Sequence, residues 1–196
     1  MDARHYLSIH LPPSHELWKT ADVVLLIGTH ARPPLQRWGV DNEMTLIKID
    51  VAPTAHTLYE RPNIAITARA EMAVPLLLEK TTHHTDRRPS REDEMRTLHA
   101  SRQQQTAYLE PQLTYLKIIR EELGEDGIFM DELTQVGFAS RIAYPTYKPR
   151  TFLSTGYMGT LGYGFPTALG VKVAKPDVPV IAIAGDGGFM FTMQEL

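Results

Sequence analysis

The sequence predicts an α/β protein built from open parallel sheets flanked by helices, and three observations carry that expectation. Short apolar runs rich in Val, Leu and Ile recur along the chain. Segments with helical spacing alternate with them, most regularly beyond residue 110. Glycine-rich turns stand directly after some of these runs, where a strand hands over to a helix and leaves backbone amides facing outward.

Residues 21–28 (ADVVLLIG) are a continuous apolar run ending in glycine, too short for a helix and typical of a parallel strand buried on both faces. Residues 45–50 (TLIKID) repeat the theme, and Pro53 closes it. Between them HARPPLQRWGVDNE, with its proline pair and glycine, reads as a surface connection. Residues 70–79 (AEMAVPLLLE) look helical in spite of Pro75. Residues 1–80 are therefore expected to be the end of an α/β domain. Residues 81–110 are dense in charge and amide, and read as an interdomain connection that holds some helix. A helix follows over 111–123, with Leu113, Leu116, Ile118, Ile119 and Leu123 as its apolar positions and Gly124 and Gly127 as its stop. The remainder alternates: strand at 128–130, helix within 133–142, strand at 151–154, helix at 163–174, strand at 179–184, and a helix beginning at Phe189.

Composition narrows the function. The 196 residues suffice for one generous domain or pieces of two, and 43% hydrophobic content is that of a soluble globular protein. Twenty Lys and Arg against 23 Asp and Glu leave a net charge of -3, so no basic field able to hold nucleic acid is expected. Without cysteine there are neither disulfides nor thiolate metal ligands. The first 19 residues lack the basic start and apolar stretch of a signal peptide, and no apolar run approaches a membrane span, so a cytoplasmic protein without a targeting segment is expected. His83 and His84 have no carboxylate at ligand spacing and read as a solvated pair. Trp18, Trp38, Tyr108 and Tyr115 read as packing residues.

The turn Gly185-Asp186-Gly187-Gly188 follows the apolar run VPVIAIA and precedes FMFTMQEL. Outward amides there favour a phosphate, flanking glycines let it approach, and the hard carboxylate of Asp186 suits a Mg2+ shared between protein and a diphosphate. The bland alternative is a tight turn that needs glycine for backbone reasons, with Asp186 capping the helix. Other phosphate motifs fail: no Lys stands where a P-loop needs one, and Met190 or Thr167 occupies the third glycine position of a dinucleotide fingerprint. Asp131 and Glu132 could form an acid and base pair, although neighbours at a strand end point to opposite faces and at most one would face a ligand.

Together, AIAGDGGFMFTMQEL at 182–196, GYMGTLGYGFPTALG at 156–170 and DELTQ at 131–135 resemble, in the right order, the thiamine-diphosphate-dependent enzymes of the acetolactate synthase and benzoylformate decarboxylase type. The resemblance implies a thiamine-diphosphate-binding fold, with 111–196 as the first half of the diphosphate domain. It implies that the Gly159 carbonyl accepts from the pyrimidine amino group and that Leu161 wedges the cofactor into its bent form. Asp186 would ligate Mg2+; the backbone of Gly185, Gly187 and Gly188 would touch the diphosphate, and Thr134 and Gln135 would do so from the facing loop. Leucine at 161 is nearer to the decarboxylases and FTMQEL nearer to the synthases, so the subfamily stays open. IGTHARPPLQRW with IKID is similar to the family's central domain, which holds FAD in acetolactate synthases; here the connection is short and departs from the flavin pattern, so FAD is disfavoured and a purely structural domain is expected.

The activity implied is that of a 2-oxo acid decarboxylase or carboligase, a homodimer or homotetramer when complete. In the family the glutamate that contacts the pyrimidine comes from an N-terminal domain of the partner subunit, so no catalytic residue is assigned to this chain. The second half of the cofactor signature, with its Asn pair, would follow Leu196. A fragment inactive alone is therefore expected, the alternative being a non-catalytic remnant with a structural or partner-binding role.

Overall fold

Two three-stranded parallel sheets organise the chain. The computed structural model describes residues 2–41, 43–84, 89–156 and 158–196, which divide into two units, residues 14–91 and residues 1–13 with 92–196.

In the unit 14–91, α1 (Ser14–Lys19) leads to β1 (Val23–Ile27), β2 (Thr45–Asp50), β3 (Ile64–Thr67) and α2 (Ala70–Thr82). The sheet order is β1-β2-β3, with Leu25 beside Ile47 and Ile49 beside Ile66. Trp18, Leu26, Leu35, Met44 and Leu46 form the core, with Val24 and Trp38 packed against it. The Trp18 indole donates to the Gly39 carbonyl at 2.8 Å and lies edge-on to Trp38. The expectation that β1 is buried on both faces is corrected: Val24 and Leu26 meet the core, whereas Val23, Leu25 and Ile27 are 52%, 39% and 38% exposed. Alternate residues of an extended strand face opposite ways, and only one face meets the Trp18 cluster. Nor is the connection before β2 purely superficial, since a wide helical turn at Pro34–Trp38 carries Leu35 into the core. Within β2, Lys48 is buried and its amine donates to the Ala55 carbonyl. His83 and His84 lie exposed at the end of α2, and residues 85–88 of the charged stretch are outside the described residues.

In the other unit, α3 (Glu92–Thr106), α4 (Gln112–Leu123), β4 (Ile128–Met130), α5 (Gln135–Ala143), β5 (Phe152–Leu153), α6 (Gly164–Ala174), β6 (Val180–Ala182) and α7 (Asp186–Met190) follow in order. Helix α3 lies in the stretch read as a connection, and Arg102 on it donates to the carbonyls of Leu11 and Ile142. The sheet order is β5-β4-β6, and Phe129 on the central strand is paired with Phe152 on one side and Ile181 on the other. Leu116 and Leu123 of α4 close over Phe129, Ala139 and Tyr144. Gly124 ends α4 in the left-handed region, at φ 57.

The apolar face of α4 differs from its reading in one position. Ile118 is 49% exposed, and the buried place belongs to Arg120, whose guanidinium lies 5.2 Å from the Tyr144 ring centre and 5.3 Å from that of Tyr147. Burial pushes the Tyr144 phenol up to about 12. Tyr108 and Tyr115, read as packing residues, are 72% and 51% exposed. Tyr115 precedes the buried Leu116, and adjacent helix positions cannot share a face.

The crossovers fix where a ligand can sit. The chain leaves β4 for β5 through α5, then crosses back to β6 through α6, and right-handed crossovers place these helices on opposite faces of the sheet. Strand order thus reverses at β4, and the loops leaving the carboxyl ends of β4 and β6 part there. No helix among the described residues is long and apolar enough to cross a membrane.

Candidate functional site

All three strands of the second sheet run parallel, so the loops after β4, β5 and β6 emerge at one edge. Each is short or glycine-rich, and they meet side by side.

The first loop, 131–134, leads into α5. Thr134 caps that helix: its hydroxyl oxygen accepts from the Gly137 amide at 2.9 Å. The hydroxyl proton remains available for another acceptor. Gln135 is the first residue of α5 and is exposed. Leu133 reaches the second loop, because a Cβ added to Gly159 would touch both of its methyl groups at 3.7 Å. The Thr134 methyl lies 3.8 Å from where a Cβ on Gly185 would stand, so the same short segment also meets the third loop.

The second loop runs from β5 to α6 and turns on Gly156, Gly159 and Gly162, at φ 60, 57 and 75, values that only glycine adopts without strain. Leu161 is 44% exposed, a side chain available to a ligand rather than spent on the core. Tyr157 lies outside the described residues. Gly162 backs onto the segment after α7, where an added Cβ would stand 2.9 Å from the Phe191 Cβ.

The third loop corrects the reading of the 185–188 turn. The helix was expected to begin at Phe189, yet Asp186 already starts α7 and Gly185 is its N-cap, with the Phe189 amide donating to the Gly185 carbonyl at 2.8 Å. Glycine brings no side chain to cap the first turn. Asp186 is exposed, with Oδ1 accepting from the Gly187 amide at 2.8 Å. A Cβ on Gly187 would meet nothing within 4 Å, so open space faces the backbone there. Beside the turn a cleft of about 420 Å3 is lined by Phe165, Ala182, Ala184, Gly185, Asp186 and Phe189.

Asp131 and Glu132 hold different protein groups, as strand-end neighbours that face apart do. Both are buried, at 0% and 1% exposure. Asp131 Oδ2 accepts from Arg141 Nε at 2.7 Å, and Arg141 Nη2 donates to Thr155 Oγ1 at 2.8 Å. Glu132 accepts from the Gly162 amide at Oε1 and from the Gly164 amide at Oε2, each at 2.8 Å. It also lies against Gly188, where an added Cβ would fall 2.0 Å from Oε1. These links span 30 and 32 residues, and a sequence reading that looks for local spacing has no signal for them.

The fold therefore brings Thr134, Gln135, Gly159, Leu161, Gly185, Asp186, Gly187 and Gly188 to one edge of one sheet. The arrangement suits a diphosphate: a helix start whose N-cap brings no side chain, room at Gly187 for an oxygen to approach, and an exposed carboxylate on the same turn for a shared divalent cation. Among the described residues that line the cleft, Asp186 carries the only titratable side chain.

Comparison with known proteins bears on this arrangement. Residues 133–196 match the family "Thiamine pyrophosphate enzyme, C-terminal TPP binding domain". The chain is 29% identical to the probable 2-ketoarginine decarboxylase of Pseudomonas aeruginosa over 194 residues, 96% of this chain and 34% of that protein. It is 62% identical to the probable acetolactate synthase large subunit of Methanococcus aeolicus over 53 residues, 27% of this chain and 9% of that one. With the probable sulfoacetaldehyde acetyltransferase of Rhizobium meliloti it shares 27% identity, over 92% of this chain and 36% of the other. The chain thus spans about a third of the length of the curated relatives it matches over most of its own length.

Proposed function

We propose that this chain, whose residues 133–196 match the C-terminal TPP binding domain of the thiamine pyrophosphate enzymes, forms one side of a thiamine diphosphate and Mg2+ site in a 2-oxo acid decarboxylase or carboligase. The observation that carries the proposal is the meeting of three loops at one sheet edge, with Leu133 against Gly159, Thr134 against Gly185, and open space at Gly187.

Thiamine diphosphate supplies a carbon nucleophile and an electron sink for loss of CO2 from a 2-oxo acid. The protein residues hold and orient it. The amides of Gly187 and Gly188, with Gly185, bind the diphosphate at the start of α7, and Asp186 shares the metal with it. Thr134 donates its hydroxyl proton from the facing loop, and Gln135 adds a second polar contact. The Gly159 carbonyl accepts from the pyrimidine amino group, and Leu161 packs against the cofactor to fix its bend. Residues 111–196 are the first half of the diphosphate domain, and residues 1–80 the end of a central domain to which we assign no FAD. The enzyme acts as a homodimer or homotetramer in the cytoplasm.

Since Glu132 has both oxygens on backbone amides and Asp131 is paired with Arg141, we assign the acid needed at the pyrimidine to neither of them. The 196-residue chain alone is accordingly proposed to be inactive. The test pairs an assay with a titration. Assayed with pyruvate and benzoylformate, the chain alone should not exceed the buffer rate. In the complete enzyme, Asp186→Ala should raise the Mg2+ concentration needed for thiamine diphosphate binding by about tenfold or more. Unchanged metal dependence would remove Asp186 from the site. A complete protein that binds no thiamine diphosphate would instead favour a structural or partner-binding role.

A further inference from the structure

The second loop lies between Thr155 and Gly164, and adjacent residues at the end of β4 hold both of its ends. Asp131, through Arg141, grips the start at Thr155. Glu132 grips the finish directly, with one oxygen on the Gly162 amide and the other on the Gly164 amide. The two side chains can do this because neighbours at a strand end point to opposite faces. Among the described residues of the loop, Met158 is 84% exposed, Leu161 is 44% exposed, and three glycines carry positive φ.

We propose that Asp131 and Glu132 are positioning residues that anchor the two ends of this loop and thereby set where the Gly159 carbonyl and the Leu161 side chain stand relative to the start of α7. The assignment of those two groups to the cofactor rests on the function proposed above; the anchoring does not.

Four features support the anchor. Both carboxylates are buried at 1% exposure or less, and Asp131 Oδ2 and both Glu132 oxygens bond to protein groups. Hydrogen bonds to a charged acceptor are the stronger kind, and each lost one leaves a buried group unsatisfied. The two amides meet separate acceptor oxygens, which a carboxylate supplies and a carboxamide does not; glutamine would set its NH2 against one of the amides. Finally, Glu132 reaches the third loop as well. A Cβ on Gly188 would fall 2.0 Å from its Oε1, so the carboxylate fills the space between the second loop and the first turn of α7. Glu132 thereby accepts from the first amide of α6 and caps that helix from the loop after β4.

Amide hydrogen exchange on the cofactor-free protein tests this, with Glu132→Gln and Thr155→Val as separate variants. Glu132→Gln should speed exchange at Gly162 and Gly164 by about tenfold or more, with Phe129 and Met130 in β4 unchanged. Thr155→Val removes only the acceptor for Arg141, keeps nearly the same shape, and should loosen the start of the loop with little change in melting temperature. In the complete enzyme either variant should raise the KM for thiamine diphosphate several-fold more than it lowers kcat at saturating cofactor. Exchange at Gly162 and Gly164 equal to the parent's would overturn the anchor. So would faster exchange with an unaltered KM for thiamine diphosphate, because the loop's placement would then not matter to the cofactor. Faster exchange in a protein whose parent form binds no thiamine diphosphate would support the anchor and overturn the cofactor assignment, which keeps the two failures distinct.

Discussion

The two sheets have the same number of strands, the same parallel direction and glycine near the carboxyl end of a strand, yet their loops behave differently. At the edge of the first sheet the strand-end carboxylate bonds locally. Asp50 accepts from the Ala52 amide two residues on, and Thr29 from the amide of Ala31. Gly28 turns at φ 57 with open space where a Cβ would stand, and a cleft of about 550 Å3 lies beside it, lined in part by Asp50 and Arg69. At the edge of the second sheet the carboxylates reach across strands, from Glu132 to Gly162 and Gly164, and Gly188 has no room for a methyl group. Parallel strands place loops at one edge in both cases. Only cross-strand ties convert such loops into a rigid set of backbone donors and acceptors.

The largest effect that should expose this contrast comes from adding one carbon to each edge. Gly188→Ala forces a methyl group into Glu132 and should cost about 3 kcal/mol of stability. Gly28→Ala meets no neighbour and should cost only about 1 kcal/mol, for the positive φ. Denaturant melts of both variants check this, and equal costs would erase the difference between the edges.

Next in size is a separation of binding from folding. Gly187→Ala adds a methyl group to open space within a helix, so stability should hold or rise by about 0.5 kcal/mol. Thiamine diphosphate affinity in the complete enzyme should nevertheless fall about tenfold, because the methyl group occupies the phosphate's approach. Unaltered affinity would place the diphosphate elsewhere. Leu161→Ala sharpens the same point. A fully buried leucine would cost about 2 to 5 kcal/mol, but this one is 44% exposed. Thermal melting of the cofactor-free protein should move by less than about 1 kcal/mol, while single-turnover rates drop clearly. The smallest effect is at Thr134, where Thr134→Ala should cost about 1 kcal/mol through the lost cap of α5 and Thr134→Ser much less.

What the sequence made legible follows physical range. β2 and β4 have the bounds read from their apolar runs, and α4 was plain from its spacing. The four-residue β3 and six-residue α1 went unread because elements that short show no periodicity. Arg120 was unreadable as a core residue, since its burial depends on rings from Tyr144 and Tyr147 that lie over 20 residues away. At the site, glycines and Asp186 could be found because their chemistry depends on neighbours in sequence. The start of α7 was misplaced by three residues, for its N-cap is a glycine and gives no polar signal. The role of Glu132 was hidden because a strand-end carboxylate reads alike whether it faces a ligand or distant amides.

The central claim is that the ligand site lies at the edge of the second sheet and not the first. Amide hydrogen exchange with and without thiamine diphosphate and Mg2+, with cofactor in large excess over the complete enzyme, tests it most directly. Added protection should appear at Thr134, Gln135, Gly187 and Gly188 and in the loop around Gly159, with residues 28–30, 50–51 and 68–71 unaltered. Protection confined to those last segments, or no change at Gly187 and Gly188, would contradict the account.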